Sequence, residues 1–325
     1  MQTDYQLTKT LPGNCGGVMG LKLLPNGLLA SVGWDSQLLI WNVDSGTLIR
    51  TIQSGNGAIR GITLLPNSNI VTGTNGQLQI WNLTLTTNPL VLSIATDYYC
   101  FALEVLSDRV TIAEGSGWVG SDSCTGTCTN IKLRNSNTGT LIKSLVGHTD
   151  AVQSLKLLPD GTLASGSRDG TIRIWNVTRA SGTELIRTIT NQNVKCLSLE
   201  LLKDGSLACG ANILTIWNVT SGTLINTLGG SYSAIFQLKM INSYFLALAT
   251  DYSRIDIMDV RQSGSNALVQ SLNGGVSWVT AVEILADGSI AYGGSANGCA
   301  DLLIYSNSKL YKTLFLSILL LDDTG

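Results

Sequence analysis

At 325 residues, with 20 basic against 22 acidic side chains, the chain carries a net charge of −2. That balance supplies no bulk field to draw in nucleic acid or an anionic membrane, so neither is expected as a partner. Only 13% of residues are charged, while glycine reaches 35 copies and histidine one. This composition suits many short strands joined by tight turns and leaves little material for acid–base chemistry near neutral pH.

In chain order, the first element is a strand over Tyr5 to Leu11. Leu11 lies as far before Val18 as Leu145 lies before Val152. Met1 to Thr10 shows neither the basic nor the apolar region of a secretory signal. From residue 12 onward one pattern recurs, its first strand closing at Leu24, Leu65, Leu106, Leu158, Leu202, Ile241 and Leu285. The spacings are 41, 41, 52, 44, 39 and 44 residues, within or near the period of four-stranded units that must stack to bury their apolar faces. In the clearest copy, period-two alternation broken at Pro-Asp-Gly and Asp-Gly predicts four strands. They are strand a (Val152 to Leu158), b (Thr162 to Ser167), c (Thr171 to Val177) and d (Glu184 to Ile189). Helical solenoids are excluded by that alternation. Strand c ends in Ile-Trp-Asn at Trp41, Trp81, Trp175 and Trp217.

The third unit is the long one, carrying an insertion from Glu114 to Cys128 between strands b and c. The chain then closes on Lys309 to Leu314, which reads as another strand d, and on an apolar run from Leu314 to Leu321. That run is too short to span a bilayer, so no membrane span is expected.

These features resemble the WD-repeat β-propeller family, whose blades carry Gly-His before strand a, Asp-Gly in the b–c turn and Trp-Asp at the end of strand c. The resemblance covers roughly residues 4 to 316. It implies an all-β fold, a seven-bladed β-propeller of four-stranded antiparallel blades, in one domain over 1–325. Residues 4–11 would be an N-terminal closing strand, 12–314 the seven blades and 315–325 a C-terminal extension. The family's buried tetrad is expected only in blade four, from His148, Asp169, Trp175 and Ser165 or Ser167, with the other blades relying on apolar packing. The single histidine is thereby assigned to structure.

Eight segments compete for seven outer positions. If the N-terminal strand closes blade seven, Cys15 and Cys299 share a face and form a candidate disulfide. The C-terminal strand, with Leu310, Tyr311, Leu314, Phe315, Leu316 and Ile318, is then surplus and becomes a candidate for strand addition to a neighbour, giving a homo-polymer or filament. The alternative is that it packs on its own propeller. Seven cysteines leave at least one outside any internal pair. Cys124 and Cys128 form a second candidate disulfide, whereas Cys100, Cys196 and Cys209 read as small buried hydrophobes. Asn82, Asn176 and Asn218 are candidate N-glycosylation sites, all at the same c–d turn. Loop cysteines and sparse surface charge lead to an extracellular expectation, with a cytoplasmic setting as the alternative.

No nucleophile elbow, phosphate loop or metal motif is present, so no cofactor, no metal and no enzymatic activity are expected. Strand a starts, which line the channel, are mostly apolar and leave few carboxylates to meet there. Recognition is the better reading. Aligning the blades puts Trp34, Tyr99, Trp118 and Trp278 on the b–c loop face, as aromatic residues enriched at interface hot spots, with Asp35, Asp150, Arg60 and Arg168 as a polar rim. The expected function is a protein-interaction scaffold binding a protein or peptide there. The alternative is a structural subunit of a glycosylated extracellular filament or matrix assembled by strand addition.

Overall fold

A computed structural model describes residues 4–55, 57–117, 129–190, 195–273, 275–295 and 300–307. Blade one is built from β2 (Val18–Leu23), β3 (Leu29–Gly33), β4 (Gln37–Asn42) and β5 (Thr47–Gln53), preceded in the chain by β1 (Tyr5–Leu11). Blades two and three form one continuous seven-stranded sheet. It runs through β6 (Gly61–Leu64), β7 (Ile70–Gly73), β8 (Asn75–Trp81), β9 (Leu90–Val105), β10 (Thr111–Gly117), β11 (Ile131–Asn135) and β12 (Leu141–Leu145). The long β9 serves twice. Its first half pairs with β8 as the outer strand of blade two, and its second half pairs with β10 as the inner strand of blade three.

Blade four comprises β13 (Val152–Leu157), β14 (Leu163–Ser167), β15 (Thr171–Trp175) and β16 (Leu185–Thr190). Blade five comprises β17 (Ser198–Leu201), β18 (Leu207–Gly210), β19 (Leu214–Trp217) and β20 (Leu224–Leu228). Blade six holds β21 (Ile235–Met240), β22 (Phe245–Thr250), β23 (Arg254–Asp259) and β24 (Leu268–Asn273). Blade seven holds β25 (Trp278–Ile284), β26 (Ile290–Ser295) and β27 (Leu302–Asn307), and its outer place is taken by β1. All strand pairs are antiparallel, as hairpin connections require. The inner strands β2, β6, β9, β13, β17, β21 and β25 neighbour one another in that order, and β25 returns to β2 to close the ring.

Each second strand is wedged between neighbouring blades and is buried on both faces, so it is written in small and branched residues such as Leu163-Ala-Ser-Gly-Ser. At Gly166 a Cβ would fall 2.8 Å from Cys196 Sγ of the next blade, and only glycine allows that approach. The a–b turns repeat one device. The side chain of Asn26, Asn67, Asp108, Asp160, Asp204 or Asp287 accepts the backbone N–H two residues on.

Closure is reinforced by latches from the outer strands. Lys9 of β1 donates to the carbonyls of Val43 and Asp44 in blade one, at 2.7 and 2.6 Å. At the equivalent position Arg50 reaches Leu83 and Thr86 of blade two, Arg187 reaches Ser221 of blade five, and Lys143 reaches Val177 and Arg179 of blade four. The Gln270 amide brackets the backbone of Tyr5, donating to its carbonyl and accepting from its N–H. These bonds satisfy turn carbonyls that would otherwise depend on water.

The expectation that only blade four assembles a polar tetrad is corrected by the structure. In blade four, His148 Nδ1 lies 2.7 Å from Asp169 Oδ2 and Nε2 lies 2.7 Å from Ser165 Oγ, while Trp175 Nε1 donates to the same Ser165 at 2.8 Å. Ser167 is occupied elsewhere, donating to the Asp150 carbonyl. Blade one builds an equivalent set: Asn14 donates to Asp35 at 3.0 Å, Ser31 donates to Asn14 at 2.9 Å, and Trp41 donates to Ser31 at 3.0 Å. An asparagine carboxamide offers a donor nitrogen and an acceptor oxygen, as a neutral imidazole offers one nitrogen of each kind. Blade three places a buried Arg134–Glu114 ion pair at 3.1 Å where blades one and four have the Trp–Ser bond. In blade six Tyr232 and Ser271 donate to the buried Asp256.

The cysteine reading also changes. Cys196 and Cys209 are a disulfide within blade five, with Cα atoms 5.8 Å apart, not two independent small hydrophobes. Cys100 is buried and free. Cys15 is disulfide-bonded. Cys299, Cys124 and Cys128 lie outside the described residues, as do Trp118 and the segment with Leu310, Tyr311, Leu314, Phe315, Leu316 and Ile318.

Candidate interaction face and channel

One face of the ring carries the b–c turns and the connections that lead into the inner strands. Trp34 sits in the b–c turn after β3, its N–H donating to Gly17 at 3.2 Å, and it remains 46% exposed. Tyr99 and Phe101 project from alternate positions of β9, so period two brings both rings to the same side. Arg60, just before β6, is the residue that unites them. Its guanidinium carbon lies 4.4 Å from the Trp34 ring centroid, 5.0 Å from Tyr99 and 5.5 Å from Phe101. Burial holds this guanidinium below its ordinary pKa, against the smaller opposing pull of Tyr99. Among the described residues its side chain makes no hydrogen bond or ion pair, and its Nε is buried without a partner.

The aromatic residues expected on this face therefore divide. Trp34 and Tyr99 are joined through Arg60, and Phe101 is a member the sequence reading missed, although its position two residues after Tyr99 on one strand was a usable signal. Trp278 opens β25 and is 54% exposed, with no ring or cation contact to the Arg60 cluster. Asp35 is corrected from rim to interior bonding: it accepts from Asn14, from the Cys15 N–H at 2.7 Å and from the Gln37 N–H.

The three candidate glycosylation asparagines serve as turn acceptors. Asn82 and Asn176 accept the N–H two residues on, from Thr84 and Thr178, and Asn218 accepts from Ser221. Asn42 does the same toward Ser45 without being part of an acceptor triplet. Asparagine at this place is therefore accounted for by the turn alone.

The channel is not the apolar bore expected from strand a starts. Near the a–b turn end, the inner strands contribute Lys22, Thr63, Glu104, Lys156, Glu200, Lys239 and Glu283, one from each blade in ring order. Lys156 Nζ meets Glu200 Oε2 at 2.7 Å, and Lys239 Nζ meets Glu283 Oε2 at 3.2 Å. Signs alternate around the ring except at Thr63, because seven places cannot alternate without one neutral member. Among the described residues no group of His, Cys, Asp or Glu is arranged to hold a metal ion.

A closed ring of antiparallel blades, an inner-strand channel and an outer strand drawn from the other end of the chain define a seven-bladed β-propeller. In two of its stretches the chain is similar to the WD-repeat family. The family described as "WD domain, G-beta repeat" matches residues 5–42 and 139–176. The first of those matches spans β1 with β2, β3 and β4, so the repeat in sequence begins one strand earlier than the blade in space. Nuclear distribution protein PAC1 of Arthroderma otae is 26% identical over 201 residues, covering 54% of this chain and 43% of that protein. Protein FIZZY-RELATED 3 of Arabidopsis thaliana is 30% identical over 185 residues, covering 54% of this chain and 36% of that protein. Striatin of Homo sapiens is 51% identical over 49 residues, covering 15% and 6% respectively. The matched stretch is less than half the length of each of these relatives.

Proposed function

We propose that this chain is a non-enzymatic interaction scaffold that binds a protein or peptide on its b–c loop face. The observation that carries this reading is Arg60, whose guanidinium is flanked by Trp34, Tyr99 and Phe101 and has no hydrogen-bond partner among the described residues. A desolvated guanidinium costs free energy until an acceptor reaches it, and a carboxylate or backbone carbonyl of a docked segment supplies one. Aromatic and arginine side chains together are the composition of interface hot spots. The test is selection of short peptides against the wild-type propeller, followed by binding to Trp34→Ala and Arg60→Met. A drop of tenfold or more in both variants supports the reading; unchanged binding by both sinks it.

A second reading, a building block of an extracellular filament or matrix, is favoured by the outer wall. The edge strands expose paired aliphatic residues, among them Leu48 and Ile49, Leu141 and Ile142, and Leu224 and Ile225. Exposed apolar edge strands are sites of association. The Cys196–Cys209 disulfide supports an oxidising, extracellular setting for either reading. Light scattering of the wild-type chain against an Ile49→Lys, Ile142→Lys, Ile225→Lys variant separates the two: assemblies lost on substitution favour the building block, and a monomeric wild type removes it.

A further inference from the structure

The alternating ring in the channel has a defect with a chemical consequence. Read from Glu104 through Lys156, Glu200, Lys239 and Glu283 to Lys22, it is a line of six alternating charges whose two ends flank Thr63. Two ion pairs use the four middle members. Of the ends, Glu104 takes the backbone N–H of Leu157. Lys22 and Thr63 line the same cavity, and among the described residues neither side chain has a hydrogen bond or ion pair. Blades one and two are in close contact here, since a Cβ added at Gly20 would fall 2.9 Å from Ile62. The two unpartnered donors thus occupy adjacent places in the ring.

We propose that this end of the channel binds a small monocarboxylate, held by the Lys22 ammonium and the Thr63 hydroxyl. Two donors at adjacent places match the two oxygens of a carboxylate. One negative charge is the fitting number. The ring's three lysines and three glutamates sum to zero, and a dianion at Lys22 would face Glu104 on one side and Glu283 on the other. The channel cavity, whose lining runs from Lys22 and Thr63 to Arg60 and Phe101, has a volume of about 200 Å³, several times the roughly 30 Å³ share of a water molecule. Burial lowers the pKa of Lys22, with Lys239 and Lys156 adding to the effect against Glu283 and Glu104, so an anion there also relieves the cost of keeping the lysine charged. The site lies toward the a–b turns, at the opposite end of the channel from the Arg60 cluster, and does not depend on a partner there.

The test is titration with sodium acetate at constant ionic strength, followed through lysine Nζ and threonine methyl shifts. Saturable one-to-one binding is expected in the wild type, at least tenfold weaker in Lys22→Met and in the near-isosteric Thr63→Val. It should be several-fold tighter in Glu104→Gln and unchanged in Lys203→Met, which alters an exposed lysine bonded to Ser243. A capped Gly-Gly-Asp-Gly-Gly peptide identifies the source. Displacement of acetate by the peptide assigns the site to an acidic side chain of a partner, and acetate bound without displacement assigns it to a free small acid. No saturable binding in the wild type, or equal binding in Lys22→Met and Thr63→Val, overturns the proposal.

Discussion

Asn14 and His148 hold the same place in blades one and four, each bridging an aspartate and the serine that receives the tryptophan N–H. The two differ in one respect: the imidazole titrates and the carboxamide does not.

His148→Asn is therefore expected to preserve the fold and flatten its acid sensitivity. Burial holds the His148 pKa below its ordinary value, outweighing the upward pull of Asp169. The native state thus resists a proton that the unfolded chain accepts below about pH 6.5, and stability falls as pH drops through that range, by at most about 1.4 kcal/mol per pH unit. Asp169 is held well below the usual carboxylate range by hydrogen bonds from His148, Thr171 and the Thr149 N–H, which prevail over its desolvation. Its contribution is full above about pH 4 and is lost only in stronger acid. Thermal unfolding at pH 7.5 and 5.5 should show a smaller shift for the variant than for the wild type. Equal shifts would mean that His148 is not the titrating group.

Lys9→Met should loosen ring closure. The ammonium bonds two carbonyls across the seam between β1 and blade one, and a hydrogen bond from a charged donor contributes about 1.5–3 kcal/mol. A urea midpoint lowered by a comparable free energy is expected. Lys195→Met, which alters an exposed lysine with no seam bond among the described residues, should leave the midpoint within about 0.5 kcal/mol of the wild type.

Two a–b turns carry side chains where their siblings carry glycine. Ser68 has φ 67° and Arg109 has φ 64°, at the place where Gly27 and Gly161 have φ 81°. Ser68→Gly and Arg109→Gly remove left-handed strain at the cost of glycine's greater unfolded entropy. A net gain of about 0.5–1 kcal/mol per turn is expected from chemical denaturation; a loss at both turns would show that the strain is negligible.

Removing the blade-five disulfide by Cys196→Ala with Cys209→Ala should cost about 2–4 kcal/mol. Intact mass of native material before and after reduction checks the bond directly. Because Cys15 is also disulfide-bonded, the gain on reduction should be two hydrogens smaller in the double variant than in the wild type, and equal gains would show that Cys196 and Cys209 are reduced.

The strands, their turns and the family were legible in the chain because each follows from neighbours a few residues apart. Alternation with period two marks a strand, Asp or Asn before Gly marks a turn, and Ile-Trp-Asn marks the end of the third strand. The Asn14 tetrad was equally local in its spacing from Val18, yet it was missed because an asparagine does not advertise the bonding pattern of a histidine. What lay beyond reach was whatever joins one blade to the next. Arg60 meets Trp34 and Tyr99 from three different blades; within blade five, Cys196 reaches Cys209 from just before β17, although the β17–β18 register sets Cys209 opposite Leu199.

The amino-acid sequence by itself determined the number of blades, the first three strands of each and the resemblance to the WD-repeat family. Tertiary structure alone decided that β1 closes blade seven, that Arg60 gathers the aromatic face and that the channel carries a ring of alternating charge. The reason is physical. Strands and turns answer to side chains two to four residues apart, whereas the ring unites single residues spaced some forty apart, and their signs acquire meaning only when closure brings them face to face.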